Sequence, residues 1–203
     1  MPLIKVILGS TRPERFGVQP AEWIMSLTKE HTEATYEFID LADWKLPFMD
    51  EPAPPSTITN GEYAHEHTRR WAKVIGEADG YVFVTGEYNY NMPAALKNAI
   101  DFLAAEWYFK PAAFVGYGVG GGIRAIGALR TTLSQLRMYG LRDEVNFVNY
   151  WAQLDQNGKL QPTDAQNADG HKLLKNIAFW AEKMAPGRAE LADLKAKERA
   201  AAA

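Results

Sequence analysis

The sequence predicts an α/β fold in which a parallel β-sheet is covered by helices on both faces. Short apolar runs rich in β-branched residues recur along the chain, and segments with the apolar spacing of helices separate them. The length of 203 residues suits one domain followed by a short additional segment. The chain contains no cysteine, which excludes disulfide frameworks, zinc ribbons and iron–sulfur clusters held by cysteine.

Five of the apolar runs are predicted to be β-strands. The first run is stopped by the turn-forming pair Gly9-Ser10, and the third is the next clearest. The five predicted strands are residues 3–8, 36–39, 80–85, 112–116 and 145–148. Because strands that alternate with helices form βαβ units, the sheet should be parallel.

The segments between the strands carry apolar residues on one helix face. In the second predicted helix, an i, i+3, i+4, i+7 pattern is formed by Trp71, Val74, Ile75 and Ala78. Pro93 suits the first turn of the next helix. The predicted helices are residues 20–30, 62–78, 93–105, 123–138 and 165–184. Four prolines and the pair Asn60-Gly61 mark a loop at 47–60.

The C-terminal residues differ in composition from the rest of the chain. Pro186-Gly187 is expected to end the packed domain, because proline and glycine interrupt helices. We therefore expect a domain at residues 1–186 and an Ala- and charge-rich tail at 187–203, which is solvated, helical or a partner-binding arm.

Charge and hydropathy exclude several kinds of partner. The chain has 22 Lys and Arg against 25 Asp and Glu, a net charge of −3, whereas nucleic-acid binders carry a basic stripe. No apolar stretch approaches the roughly 18 residues of a membrane span, and the N-terminus does not resemble a signal peptide. We expect a cytoplasmic protein without nucleic-acid or membrane partners.

The loop after the first strand is predicted to bind an anion. In open α/β sheets, ligands bind beyond the carboxyl ends of the strands. Here residues 9–18 combine glycines, hydroxyls and two arginines just before a helix, whose free N–H groups suit a phosphate. Arg12 and Arg15 could add charge-assisted hydrogen bonds. The alternative is an ordinary turn with surface arginines.

The loop after the third strand, residues 85–93, contains two tyrosines and two asparagines. These residues could contact the edge and face of a planar heterocycle. They could equally form an Asx-type turn before a helix, with the tyrosines packing locally.

The loop after the fourth strand is rich in glycine. Gly116, Gly118 and Gly121 match G-x-G-x-x-G, the pattern of dinucleotide-binding dehydrogenases. The ribose-binding acid should end the next strand, but Asp143 and Glu144 precede that strand. The glycines therefore favour a flat ligand that lies against bare backbone.

Other chemistry-bearing residues have simpler interpretations. His65 and His67 are two residues apart, a spacing that does not place both on one helix face, so a metal site is not expected. Trp23, Trp71 and Trp180 occupy helical-face positions typical of the core. Residues 107–109 could reach the ligand pocket of a dimer mate or pack in the core.

The chain resembles the NAD(P)H-dependent FMN reductase family of flavodoxin-like proteins over roughly residues 3–185. The resemblance is carried by Gly9-Ser10-Thr11-Arg12 and by Glu87-Tyr88-Asn89 followed by Pro93 and Leu96–Asp101. It implies a flavodoxin-like three-layer sandwich with a five-stranded parallel sheet in the order 2-1-3-4-5. It also implies bound FMN, NADPH or NADH as co-substrate, and a homodimer or homotetramer.

The resemblance also implies which residues surround FMN. Those around its phosphate would be Ser10, Thr11, Arg12, Arg15, Phe16, Gly17 and Val18. Those bordering the isoalloxazine would be Glu87, Tyr88, Asn89, Tyr90, Gly118, Gly120 and Gly121. The chain has Gly86 where many relatives have proline, and Tyr90-Asn91 where they have small residues.

The implied activity is transfer of a hydride from NAD(P)H through FMN to a small acceptor, with ping-pong kinetics. The acceptor could be free flavin, a quinone, an azo compound or a metal oxyanion. Because the flavin carries the chemistry, no protein nucleophile or metal is expected. The alternatives are a flavodoxin-type electron carrier, which the modest net charge of −3 does not favour, and a dehydrogenase built on the glycine loop.

Overall fold

The computed structural model describes residues 1–58 and 61–202, so Asn60 of the predicted loop lies outside the described residues. The strands are β1 (Leu3–Leu8), β2 (Thr35–Asp40), β3 (Gly80–Gly86), β4 (Pro111–Gly118) and β5 (Tyr139–Val148). All pair in parallel in the order β2-β1-β3-β4-β5. The predicted fold class and strand order are confirmed.

Helices cover both faces of this sheet. They are α1 (Val18–Leu27), α2 (Leu41–Trp44), α3 (Glu66–Glu77), α4 (Ala94–Asp101), α5 (Ile123–Gln135) and α6 (Asp164–Ala202). One apolar core packs α3, α4 and α5 against the sheet, and a second packs α1 and α6 against the opposite face. The domain is therefore a three-layer sandwich.

The strand order brings three loops together. Because β3 lies between β1 and β4, the segments that follow these strands emerge side by side. The Gly9 N–H donates to the Val84 carbonyl (2.9 Å), and the Glu87 N–H donates to the Tyr117 carbonyl (3.2 Å). These hydrogen bonds continue the sheet pairing into the loops and hold them at one edge.

Four strands are longer than the sequence pattern predicts, and β4 and β5 exceed the prediction by the most. β5 begins at Tyr139 rather than Val145, because it is an edge strand whose first half is mostly polar and partly exposed. Asp143 and Glu144 therefore lie within the strand instead of before it. β4 continues to Gly118, so the first two glycines of the predicted G-x-G-x-x-G loop are strand residues.

The last helix does not end at Met184 as expected. It continues through Pro186 and Gly187 to Ala202, although Pro186 cannot donate a backbone hydrogen bond. The Arg188 guanidinium binds the Asp79 carboxylate just before β3, which ties the segment after the proline to the sheet. No helix within the described ranges is long and apolar enough to cross a membrane.

The tryptophans differ from one another in burial. Trp23 and Trp71 are buried as predicted, whereas Trp180 is 40% exposed and packs edge-on against Tyr139. The expectation that Trp180 belongs to the core is wrong, because it lies at the margin of the sheet. Trp107 is fully buried, and its indole N–H donates to the Ile100 carbonyl (3.1 Å). Of the two alternatives given for this residue, the structure has packing in the core.

The predicted arrangement of His65 and His67 is also wrong. Helix α3 begins at Glu66, and His65 has extended dihedral angles of φ −98° and ψ 143°. The helical spacing rule therefore does not apply to this pair, and the two imidazoles lie parallel with ring centroids 5.2 Å apart. Both rings face Asp50, whose carboxylate oxygen is 3.0 Å from His67 Nε2.

Candidate active site

The loop after β1 starts with a buried hydroxyl. Ser10 is inaccessible to solvent, and its Oγ shares a hydrogen bond with the Tyr88 hydroxyl at 2.7 Å. This bond joins the first loop to the loop after β3. Thr11 and Arg12, by contrast, are exposed at the loop surface.

The two arginines of this loop have different surroundings. The Arg15 guanidinium forms an ion pair with Asp40 at the end of β2, and both side chains are mostly buried. Asp40 also accepts a hydrogen bond from the Ala42 N–H (2.9 Å) at the start of α2. Arg15 is therefore largely neutralised by the protein, while Arg12 lies exposed at the cavity.

The loop ends at the N-terminus of α1. Gly17 is the N-cap and Val18 the first helical residue, and among the described residues no side chain caps this end. The Gln19 N–H donates to the Phe16 carbonyl (2.9 Å), and Pro20 has no N–H. The first N–H groups that remain for an anion at this end are therefore those of Gly17 and Val18. The Phe16 ring stacks on Tyr150, with centroids 3.7 Å apart and planes 14° apart, which fixes the chain just before the helix.

The loop after β3 forms a tight turn. Tyr88 and Asn91 exchange backbone hydrogen bonds of 2.8 and 3.0 Å, and the two residues between them, Asn89 and Tyr90, have φ of +50° and +69°. Two consecutive positive φ angles define a type I′ turn. This turn presents the backbone of Asn89 and Tyr90 and leaves the Tyr90 ring exposed.

Glu87 directs its carboxylate to α5. The carboxylate accepts hydrogen bonds from the Arg124 backbone N–H (3.1 Å) and from Arg124 Nη1 (2.6 Å). The guanidinium also lies over the Tyr90 ring, 4.2 Å from its centroid. Arg124, which the sequence pattern does not mark, therefore connects the turn after β3 to the helix that follows the glycine loop.

The glycine loop after β4 is tightly folded. Gly118 has φ +148° and Gly121 has φ +69°, and a Cβ on Gly121 would lie 2.8 Å from the Asn146 Cβ. The Asn146 amide donates to the Gly121 carbonyl (3.0 Å). Gly120 lies beside the guanidinium of Arg124, which a Cβ there would approach to 3.3 Å.

A cavity of about 210 Å³ opens between these loops. Its lining includes six residues predicted to contact FMN: Arg12, Arg15, Phe16, Glu87, Tyr88 and Gly118. It also includes four residues that were not predicted: Tyr117, Val119, Tyr150 and Trp151. The last two follow β5, which lies beside β4, and this adjacency was the only available signal for them.

Thr11 faces a different cavity. It lines a volume of about 190 Å³ beside α2 and α4, together with Lys45 and Asn98. The remaining predicted residues, Ser10, Gly17, Val18, Asn89, Tyr90, Gly120 and Gly121, lie in the three loops but do not line the 210 Å³ cavity. All three predicted loops nevertheless meet at one edge of the sheet.

A protein-family model described as NADPH-dependent FMN reductase matches residues 2–152, which include the three loops. The chain belongs to this family. It is therefore an FMN-dependent oxidoreductase that uses NAD(P)H.

Individual relatives agree with the family assignment. The chain is 42% identical over 137 residues to an NAD(P)H-dependent FMN reductase of Schizosaccharomyces pombe, covering 68% of each chain. It is 31% identical over 156 residues to an NADPH:quinone oxidoreductase of Arabidopsis thaliana, covering 73% of this chain and 72% of the relative. The fold alone is shared with the flavoenzyme FerB, an NAD(P)H:(acceptor) oxidoreductase from Paracoccus denitrificans, at a TM-score of 0.68 and 23% identity, covering 91% of this chain and 99% of FerB.

The chemistry of the cavity fits the phosphate of FMN. Arg15 Nε and the Tyr117 hydroxyl are buried without a hydrogen-bond partner among the described residues. Both residues line the cavity, and the uncapped N-terminus of α1 lies beside it. Hydrogen-bond donors that lack acceptors are suited to an anion.

Proposed function

We propose that the FMN reductase binds the phosphate of FMN in the 210 Å³ cavity and leaves the isoalloxazine open to small substrates. The observation that carries this proposal is the combination of a small cavity with an exposed apolar rim. Pockets that enclose a drug-sized ligand typically have about 300–1,000 Å³. The 210 Å³ here would therefore enclose the phosphate end and no more than the near edge of the isoalloxazine, where Glu87, Tyr88 and Gly118 line the cavity. Exposed side chains of Tyr88, Val119 and Trp151 surround its mouth.

The proposed contacts follow from the three loops. The phosphate would be held by the loop after β1 and the first N–H groups of α1, with Arg12 as the exposed cation. The isoalloxazine would lie between the type I′ turn at Tyr88–Asn91 and the glycine loop at 118–121. The backbone of Asn89 and Tyr90, rather than the Glu87 carboxylate, would face the ring, because Arg124 already engages that carboxylate.

Bound FMN supplies hydride acceptance from reduced nicotinamide and reduction of the second substrate. The protein residues orient the substrates and exclude water from the covered part of the site. Backbone N–H groups of the turn and the glycine loop would stabilise negative charge at the ring edge. Because the flavin accepts and passes on the hydride, no side-chain nucleophile is required.

We further propose quinones or free flavin as electron acceptors, used in a ping-pong sequence. The names of the relatives support these acceptor classes. The proposed position of the isoalloxazine between the turn and the glycine loop supports alternating use, because nicotinamide and a planar acceptor would both have to lie against the same ring.

Stopped-flow reduction of the FMN-loaded protein under nitrogen tests the activity. We expect NADPH or NADH to bleach the flavin absorbance, and a quinone added afterwards to restore it. Parallel lines in double-reciprocal plots would support the ping-pong sequence, whereas intersecting lines would contradict it. Failure of both nicotinamides to reduce the flavin would instead favour an electron carrier.

We also propose a homodimer or homotetramer, although not through Trp107, which is buried within its own chain. A groove of about 490 Å³ between α4 and α5 presents the partly exposed apolar side chains of Tyr108 and Leu136 among polar neighbours. A second copy is a suitable cover for this groove. Light scattering of the FMN-loaded protein would give the mass, and a monomer would contradict the proposal.

A further inference from the structure

Two buried donors without partners lie at the same cavity. Within residues 1–58 and 61–202, five buried side-chain polar atoms have no hydrogen-bond partner. Two of them, Arg15 Nε and the Tyr117 hydroxyl, belong to residues that line the 210 Å³ cavity. Buried polar groups are nearly always hydrogen-bonded in folded proteins, so their coincidence at one cavity points to a missing acceptor.

Tyr117 extends from the sheet to the N-terminus of α1. It is a β4 residue and is only 5% exposed. Its hydroxyl lies against Gly17, where an added Cβ would be 2.4 Å from the hydroxyl oxygen. The Phe16 ring packs edge-on against the Tyr117 ring, with centroids 5.4 Å apart. The hydroxyl is therefore held beside the N-cap of the uncapped helix.

The surroundings of this hydroxyl favour an anionic acceptor. Burial raises the pKa of Tyr117, so the hydroxyl keeps its proton and can donate. The hydroxyls of Ser10, Tyr88 and Tyr150 also lie near it, but none forms a hydrogen bond of good geometry with it. The positive groups at this end of the cavity are the guanidiniums of Arg12 and Arg15 and the first N–H groups of α1. A neutral carbonyl would satisfy one donor, whereas a phosphate monoester has several oxygens and a charge that suits all of them.

We propose that Tyr117 donates its hydroxyl to the phosphate group of FMN and is a binding residue for this cofactor. The inference rests on the phosphate position proposed above. The hydroxyl has no hydrogen-bond partner among the described protein groups, and the phosphate would supply its acceptor. Tyr117 therefore increases the affinity for FMN through its hydroxyl. Gly17 is the residue that allows the hydroxyl to reach the helix end.

The isosteric variant Tyr117→Phe tests the proposal on the full chain, freed of flavin and titrated with FMN or riboflavin by fluorescence quenching. We expect FMN to bind about tenfold more weakly than to the wild type, because a hydrogen bond to a charged group is lost. Riboflavin has no phosphate, so its affinity should stay within about twofold. The flavin-free melting temperature should change by no more than about 2 °C, because no hydrogen bond to a protein group is lost.

Tyr81→Phe is the matched control. Tyr81 is also buried, but its hydroxyl donates to the Ile75 carbonyl (2.6 Å) and accepts from Lys110 Nζ (3.2 Å). This substitution should lower the melting temperature and leave FMN affinity unchanged, the reverse of the pattern expected for Tyr117→Phe. Inorganic phosphate gives a second readout, since it should raise the melting temperature of the wild type more than that of Tyr117→Phe.

Three results would overturn the inference. In the first, the wild type binds FMN more tightly than riboflavin, and Tyr117→Phe binds FMN as tightly as the wild type does. This result would contradict the role of Tyr117 but not the proposed phosphate position. Equal weakening of FMN binding and riboflavin binding would show that Tyr117 has a structural role instead. A wild type that binds both flavins equally would contradict the proposed phosphate position together with this inference.

Discussion

Glu87 and Arg124 connect the two loops that flank the candidate isoalloxazine position. Arg124 Nη1 lies 2.6 Å from a Glu87 carboxylate oxygen, and the Arg124 backbone N–H donates to the other oxygen at 3.1 Å. The same guanidinium stacks over Tyr90, one of two consecutive residues with positive φ. A conformation that most residues avoid is thus supported by contacts to a neighbouring helix.

Replacing Arg124 should loosen the turn rather than the phosphate site. We expect Arg124→Met to weaken the binding of FMN and of riboflavin by the same factor, about two- to fivefold, because the substitution acts through the conformation of the turn. Arg124→Lys keeps the charge but loses the planar stacking on Tyr90, so it should recover only part of the affinity. Fluorescence titration with both flavins measures this, and a loss confined to FMN would contradict the argument.

Arg12 should act on the phosphate alone. Its side chain is exposed at the cavity, and a charge-assisted hydrogen bond is worth about 1.5–3 kcal/mol. We expect Arg12→Ala to weaken the binding of FMN by about 10- to 150-fold and to leave the affinity for riboflavin unchanged. Equilibrium dialysis with the two flavins provides the comparison, and equal losses for both would indicate a structural role.

Arg15 should matter to folding more than Arg12 does. Its guanidinium pairs with Asp40, and the two side chains are only 14% and 15% exposed. Removing one member of a buried pair leaves an uncompensated charge that costs about 3–5 kcal/mol. We expect Arg15→Met to lower the free energy of unfolding by a large part of that amount in urea titrations.

Two matched variants complete the Arg15 test. Arg12→Ala should change the unfolding free energy of the flavin-free chain by no more than about 0.5 kcal/mol, as surface substitutions do. The double variant Arg15→Met/Asp40→Asn should recover part of the loss, because it removes the orphaned charge. If Arg15→Met is as stable as the wild type, the ion pair does not contribute as argued.

The positions of the three loops could be predicted from the sequence, because each loop directly follows a short apolar strand. Ser10, Glu87 and Gly118 could therefore be assigned to one sheet edge once the strand order was expected. The turn chemistry was also visible in part, since asparagine tolerates the positive φ that Asn89 adopts.

The ion-pair partners of the charged residues could not be predicted from the sequence. Asp40 and Arg124 lie 25 and 37 positions from the residues they bind, and nothing in their local sequence marks those pairs. The end of α6 was misplaced for a similar reason. The local signal of Pro186 was outweighed by the tertiary contact of Arg188 with Asp79.

Lys110 should make the stability of the protein depend on pH. Its ammonium group is buried and donates to the carbonyls of Ile75 (3.1 Å) and Gly76 (3.0 Å) and to the Tyr81 hydroxyl. Burial, together with the positive charge of Arg188, lowers the pKa of Lys110 from 10.5 to about 7. Between these two pH values the unfolded chain binds more protons at this site than the folded chain.

The contribution of Lys110 to the free energy of unfolding should therefore be smallest below pH 7 and should rise as the pH increases from 7 towards 10.5. Between pH 7 and 9 the rise is about 2 kcal/mol, since each pKa unit corresponds to 1.36 kcal/mol. Lys110→Met removes the titrating group, so its unfolding free energy in urea should rise less over this interval than that of the wild type. Lys97→Met is a suitable control, because Lys97 is exposed and pairs with Asp101 on the same helix. Parallel pH profiles for the wild type and Lys110→Met would show that Lys110 titrates alike in the folded and unfolded chain, contrary to this prediction.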